Sequence, residues 1–171
     1  MFTSALLGLM LATPATAGPL TPAMAGQRLC MAPNPDQKTC AQLDSFKPTA
    51  EGTFVNVSDM RIPAGDGIIS YTLTTSAVVR GEDVCSTLLR KHLQAARFKV
   101  AGMPLSAALA ADLRRAVEGA LSDYLNKESC MTFEETPEGL VARAKVNGVR
   151  DSGLDIFVKW VDPSEGYHLM R

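Results

Sequence analysis

Two histidines, His92 and His168, are the side chains of this chain whose ordinary titration falls nearest neutrality. Either could act as a general base with a carboxylate or hydroxyl beside it, and the chain would then read as a small secreted hydrolase. Local sequence brings no such group to them. His92 closes the basic run Arg90-Lys91-His92, and His168 follows Tyr167 near the end of the sequence. The sequence contains no G-x-S-x-G elbow, H-E-x-x-H pair, P-loop or G-x-G-x-x-G element. Carboxylates pair at Glu82-Asp83, which reads as a turn, and at Glu134-Glu135, where strand alternation sends the two side chains to opposite faces. Neither pair is preset for glycosidase-type acid and nucleophile work. Asp66-Gly67 and Asp162-Pro163 read as turn chemistry. The balance leans away from an enzyme and calls for no cofactor.

The four cysteines, Cys30, Cys40, Cys85 and Cys130, form an even set without a C-x-x-C. Three pairings are open, and spacing favours two disulfides, Cys30 with Cys40 and Cys85 with Cys130. The first closes a short loop around Pro33-Asn34-Pro35-Asp36, and the second joins the segments on either side of a helical stretch. By the loop-closure model each contributes about 2–4 kcal/mol, more for the longer loop. A zinc site from the same thiols fits poorly, because C-x9-C is not a usual ligand spacing and neither histidine is close in sequence.

Disulfides need an oxidising compartment, and the first 17 residues have the form of a signal peptide. An apolar run from Ala5 to Ala12 is followed by Pro14 and an A-x-A site at Ala15-Thr16-Ala17, although no Lys or Arg precedes the run. The run is too short to span a membrane. Residues 18–25 then read as a flexible leader and 26–171 as one domain, located in a periplasm or the extracellular space. Seventeen basic against 18 acidic residues leave a net charge of −1, so bulk charge favours neither nucleic acid nor an anionic membrane as partner.

Three polar groupings are candidate surfaces. Ser70, Thr72, Thr74 and Ser76 alternate with apolar residues and would line one sheet face, where hydroxyls can bind a glycan or a partner strand. Arg143, Lys145 and Lys159 could form a basic patch, or an ordinary solvated face balanced by Glu134. Asn56-Val57-Ser58 matches a glycosylation acceptor, but it falls inside a predicted strand and is discounted.

The elements that must position these residues are mostly strands. Short apolar segments punctuated by Gly, Asn, Asp and Pro predict strands near 27–32, 40–47, 53–60, 68–79, 84–88, 97–100, 129–135, 140–147, 154–161 and 167–170. In the hairpin around Pro137-Glu138-Gly139, Met131 and Phe133 match Leu140, Ala142, Ala144 and Val146 as the inward set, which places Cys130 outward. Leu88–Ala96 reads as a turn with one helical loop. Ser106 to Lys127 is the one long helical stretch, with Leu105, Leu109, Leu113, Ala116, Val117, Ala120, Leu121 and Tyr124 within an arc about 160° wide. Apolar residues on both faces of Ile156–Val161 make that strand the expected floor for the helix.

The predicted fold is therefore α+β: an antiparallel, meander-like sheet with one main helix, about 106–127, packed on one face, and two disulfides. The predicted role is a non-catalytic binding or interaction protein of the cell envelope, with an envelope protein or a glycan as partner. Two other readings stand beside it. One is the hydrolase using His92 or His168; the other is an inhibitor of a secreted enzyme that presents the Pro33–Asp36 loop held by Cys30 and Cys40.

Overall fold

A computed structural model describes residues 18–64 and 67–170. The predicted signal peptide, 1–17, lies outside them, as do Gly65 and Asp66 of one predicted turn. In chain order, helix α1 (Thr21–Met24) precedes strands β1 (Arg28–Met31), β2 (Thr39–Cys40), β3 (Gln42–Pro48), β4 (Phe54–Ala64), β5 (Gly67–Arg80) and β6 (Asp83–Thr87). Helix α2 (Arg90–Ala95), strands β7 (Arg97–Val100) and β8 (Met103–Pro104) and helix α3 (Ala107–Ala120) follow. The chain ends through β9 (Glu128–Thr136), β10 (Gly139–Val146), β11 (Val149–Arg150), β12 (Ile156–Val161) and β13 (His168–Leu169).

The sheet is closed, not an open meander. Eight strands run β4-β3-β1-β12-β10-β9-β6-β5, and β5 returns onto β4 to complete an antiparallel barrel. The closing ladder runs from Phe54 opposite Ala77 to Ala64 opposite Gly67. Strand β5 serves two neighbours along its other edge: Ala77–Arg80 pair with β6, whereas Ile69–Thr72 overhang the barrel and pair with β7.

Alternation fills the interior. Leu29, Phe46, Phe54, Ala77, Val84, Ala142 and Val158 are buried together, with Met131, Phe133, Leu140 and Trp160 packed against them. The Trp160 ring meets Phe46 and Phe133 at centroid distances of 6.2 and 5.9 Å. Outward positions on β3, β4 and β5 include Ser45, Lys47, Asp59, Arg61 and the Ser70–Ser76 hydroxyl row, with Val55 and Val57 among them. No helix among the described residues is long and apolar enough to cross a membrane.

The predicted leader is part of this core. Gly18–Leu20 form a 3-10 turn leading into α1, and Leu20 is fully buried in the barrel cluster beside Ala23. The segment closes one end of the barrel against β1, β3, β5 and β6. Eight residues broken by two prolines carry no periodicity, so a single buried leucine leaves no pattern to read.

The helix is shorter and less central than 106–127 implied, and the α+β description gives way to a β-barrel. Ser106 caps α3, its hydroxyl accepting from the Leu109 amide at 3.4 Å, but the helix stops at Ala120 and a 3-10 turn covers Ser122–Tyr124. Along α3 only Ala110 is buried, and Leu109 is 45% exposed. Together with Leu93 of α2, the helix covers Ile69, Tyr71 and Leu73 on the β5 overhang and Phe98 on β7. Its floor is therefore β5 and β7. Strand β12, the expected floor, lies four places from β5 in either direction round the barrel, on the opposite side. Its apolar faces are explained by closure, since a barrel strand buries one face and shields part of the other under neighbouring loops.

Hairpin β9–β10 has the expected register, Phe133 opposite Ala142 and Met131 opposite Ala144. The outward Cys130 meets Cys85 directly across β6 and β9, and the two form a disulfide with Cα atoms 4.0 Å apart. Cys30 and Cys40 form the other, Cα atoms 5.4 Å apart. That bond fastens β2 to β1, and β13 pairs in parallel with β2. With Leu43 and Val161, the two sulfurs form a small core beneath Tyr167 and Leu169, so a two-stranded flap is sealed onto the barrel's outer wall.

Candidate functional site

The flap and the β5–β7 overhang stand on either side of an open groove of about 410 Å³. Its floor is the outer face of β4 and β5. Two cross-strand rows define it, Arg61–Ser70–Lys99 and Asp59–Thr72–Arg97, each member directly opposite the next on β4, β5 and β7. Arg28 enters from β1, and Tyr167, His168 and Leu169 form the flap wall.

The two sides differ in freedom. Arg28 is held by Asp59 at 3.2 Å, and Asp59 also accepts from the Thr72 hydroxyl at 2.8 Å. Arg61 donates to the carbonyls of Leu169 and Met170 at 3.2 and 3.3 Å, which turns its guanidinium toward the flap. On the far margin Arg97 and Lys99 are exposed and, among the described residues, have no acidic partner. Four cations thus face one carboxylate that is already neutralised, on a molecule whose net charge is −1. Such a concentration focuses a positive potential over the groove and favours an anion there.

The predicted basic patch is not a free one. Arg143 pairs with Glu134 at 2.7 Å and Asp155 at 3.1 Å, Lys145 with Asp83 at 2.8 Å, and Lys159 with Glu165 at 2.7 Å. The Lys145 and Lys159 bonds hold the Asp83 and Glu165 carboxyls below their ordinary range, and Asp155 is held down first by Arg150, with the Ala144 amide and Arg143 adding to it. Ser70 and Thr72 of the predicted hydroxyl row do lie on the groove floor. Asn56, the discounted glycosylation site, sits between Phe46 and Thr75 on the inward face.

Both histidines serve the backbone. His92 Nδ1 accepts from the Leu89 amide at 3.2 Å, capping α2, and burial, with Lys91 nearby, lowers its pKa. His168 Nδ1 lies 3.2 Å from the Gly166 carbonyl and its ring borders the groove. Among the described residues, neither ring is hydrogen-bonded to a carboxylate or a hydroxyl. The loop proposed for an inhibitor is a tight, exposed hairpin: Asn34 and Thr39 exchange backbone bonds, and Asn34 Oδ1 accepts from Gln37.

Two further polar features lie away from the groove. Inside the barrel, Asp44 is 1% exposed and accepts from Gln42 Nε2 at 2.9 and 3.0 Å. Ser58 and Asn56 continue this layer toward Thr75, separating the barrel core from the cluster under α3. On the opposite wall, β10 and β12 share only two residue pairs, Val141 with Phe157 and Ala142 with Ile156. Beyond them the strands diverge around a cleft of about 400 Å³ bordered by Leu140, Trp160, Glu135 and Glu138, with Phe157 51% exposed at its lip.

Sequence reasoning missed Arg28, Arg61, Arg97 and Lys99. They are spread over 28–99, and only the β4–β5–β7 pairing brings three of them into register with Ser70 and Thr72. No protein-family model, characterised protein or solved structure matches the chain.

Proposed function

We propose that this chain is a non-catalytic binding protein of the cell envelope whose ligand is anionic and lies in the groove between the β13 flap and β7. The observation that carries the reading is the pairing pattern of the cations. Arg143, Lys145 and Lys159 are matched to carboxylates, whereas Arg97 and Lys99 face open solvent beside Ser70 and Thr72. The N-terminal A-x-A segment and two disulfides fit an exported protein in an oxidising compartment.

Titration of the protein with dextran sulfate, against neutral dextran, tests this. Binding is expected only to the sulfated polymer, weakening as salt rises because the groove is open to solvent. Arg97→Ala combined with Lys99→Ala should weaken it at least tenfold, about 1.4 kcal/mol. Arg143→Ala with Lys145→Ala should leave it unchanged. Equal loss from both pairs, or equal affinity for neutral dextran, refutes the assignment.

A second reading rests on the exposed Asn34–Lys38 turn, which its disulfide and backbone bonds hold in one conformation, as an inhibitory loop must be. Replacing Pro35-Asp36 by Gly-Gly should abolish inhibition of a sensitive secreted protease while sparing dextran sulfate binding. A protease panel unaffected by the intact protein removes this reading.

A further inference from the structure

Resting on the anionic-ligand reading, we infer that the groove takes a linear acidic glycan lying across the strands from β4 to β7, not an isolated phosphate or carboxylate. The argument is geometric. Arg61, Ser70 and Lys99 stand opposite one another on three successive strands. Neighbouring strands are about 4.8 Å apart, which separates the backbones of Arg61 and Lys99 by about 10 Å. Long side chains could converge over that gap, but Arg61 is not free to do so. Its guanidinium is anchored to the Leu169 and Met170 carbonyls at the flap. Arg28 is likewise held by Asp59. The two cations near the flap are thus fixed on one side, and the two unpaired ones, Arg97 and Lys99, stand on the other. One small anion cannot satisfy both sides, whereas a chain with an acid group on alternate units can.

What lies between the charges is also informative. Ser70 places a hydroxyl on the floor between the charged margins, and Thr72, whose hydrogen is donated to Asp59, keeps lone pairs that can accept from the hydroxyls of an intervening sugar. A single-stranded nucleic acid would ask for aromatic faces on which bases stack. Among the described residues no exposed aromatic ring stands on the floor, and of the two rings at the flap edge Tyr167 is already covered by the Lys159 ammonium 4.7 Å from its centroid, which leaves His168 as a single isolated face and not a series on which successive bases could stack. An extended acidic peptide offers few hydroxyls for the central row.

The test is a length series. Galacturonic acid, its dimer and its tetramer, the matching series of heparin-derived oligosaccharides, inorganic phosphate, a hexa-aspartate peptide and an oligothymidylate are titrated into the full protein by calorimetry. The expected result is at least a tenfold gain in affinity from monomer to tetramer in one acidic glycan series. Arg61→Ala and Lys99→Ala should each cut the tetramer affinity while leaving the monomer's within about twofold. Because Arg61 also ties down the flap, Arg61→Lys is included; it keeps the charge and should retain part of the length dependence. Monomer or phosphate binding as tightly as the tetramer overturns the inference but leaves an anion site in place. Preference for the peptide or the oligothymidylate overturns it as well. Absence of binding by every anion rejects both this inference and the reading beneath it.

Discussion

Asp44 is the residue at which the barrel's interior chemistry departs from ordinary packing. Burial pushes its carboxyl up to about 6, against hydrogen bonds from Ser58 and Gln42 that favour the charged form. The folded protein therefore holds a proton between the ordinary aspartate range and about 6 that the unfolded chain has released. By linkage this stability is present at low pH and is lost as pH rises through the folded value. Asp83, Asp155, Asp162 and Glu165 are shifted down, so their contributions are lost only as pH falls below the ordinary carboxylate range. His92 acts in the opposite direction over part of the same range, since its lowered pKa makes the folded state lose stability as pH falls. The comparison that isolates Asp44 is wild type against Asp44→Asn in urea: wild type should gain about 2 kcal/mol relative to the variant from pH 7 to pH 4.5. A difference that does not change with pH over this window would place the Asp44 proton elsewhere.

At the scale of elements, the two disulfides differ in what they hold. Cys85–Cys130 spans 45 residues of sequence and Cys30–Cys40 spans 10, so loop closure alone favours the former by about 1 kcal/mol. Cys85→Ser with Cys130→Ser should cost about 2–5 kcal/mol in denaturation. Cys30→Ser with Cys40→Ser should cost less stability but more binding, because it releases the flap that anchors Arg61. Leu20→Ala, at the closed end of the barrel, should cost about 2–5 kcal/mol, as large-to-small changes in a filled core do. A leader outside the fold would show no change. These elements also separate what the sequence reveals from what it conceals. Alternation identified β5 and the β9–β10 register, because a period of two states which side chains share a face. It cannot state whether the first and last strands of the barrel meet, and here closure depends on the long-range ladder of four pairs between β1 and β12. The hydroxyls of the groove were visible as a row within one strand. Its cations were not, since each belongs to a different neighbour. The helix misled because an amphipathic arc signals something to cover, and here that is an overhang rather than a sheet's whole face.

For the whole molecule, the barrel has one short seam. The β10–β12 ladder of two pairs is the briefest of the eight around the circuit. Opening there would free two strand edges with Phe157 between them, a ready template for a second chain. The consequence concerns behaviour at high protein concentration more than ligand binding. Concentrated protein should form swapped or edge-paired oligomers from this seam, visible by light scattering on mild heating, before the barrel unfolds as a whole. Phe157→Lys, which places a charge on the exposed lip, should delay that association without lowering dextran sulfate affinity. Oligomers forming at the same rate in this variant would locate the weak point on another edge.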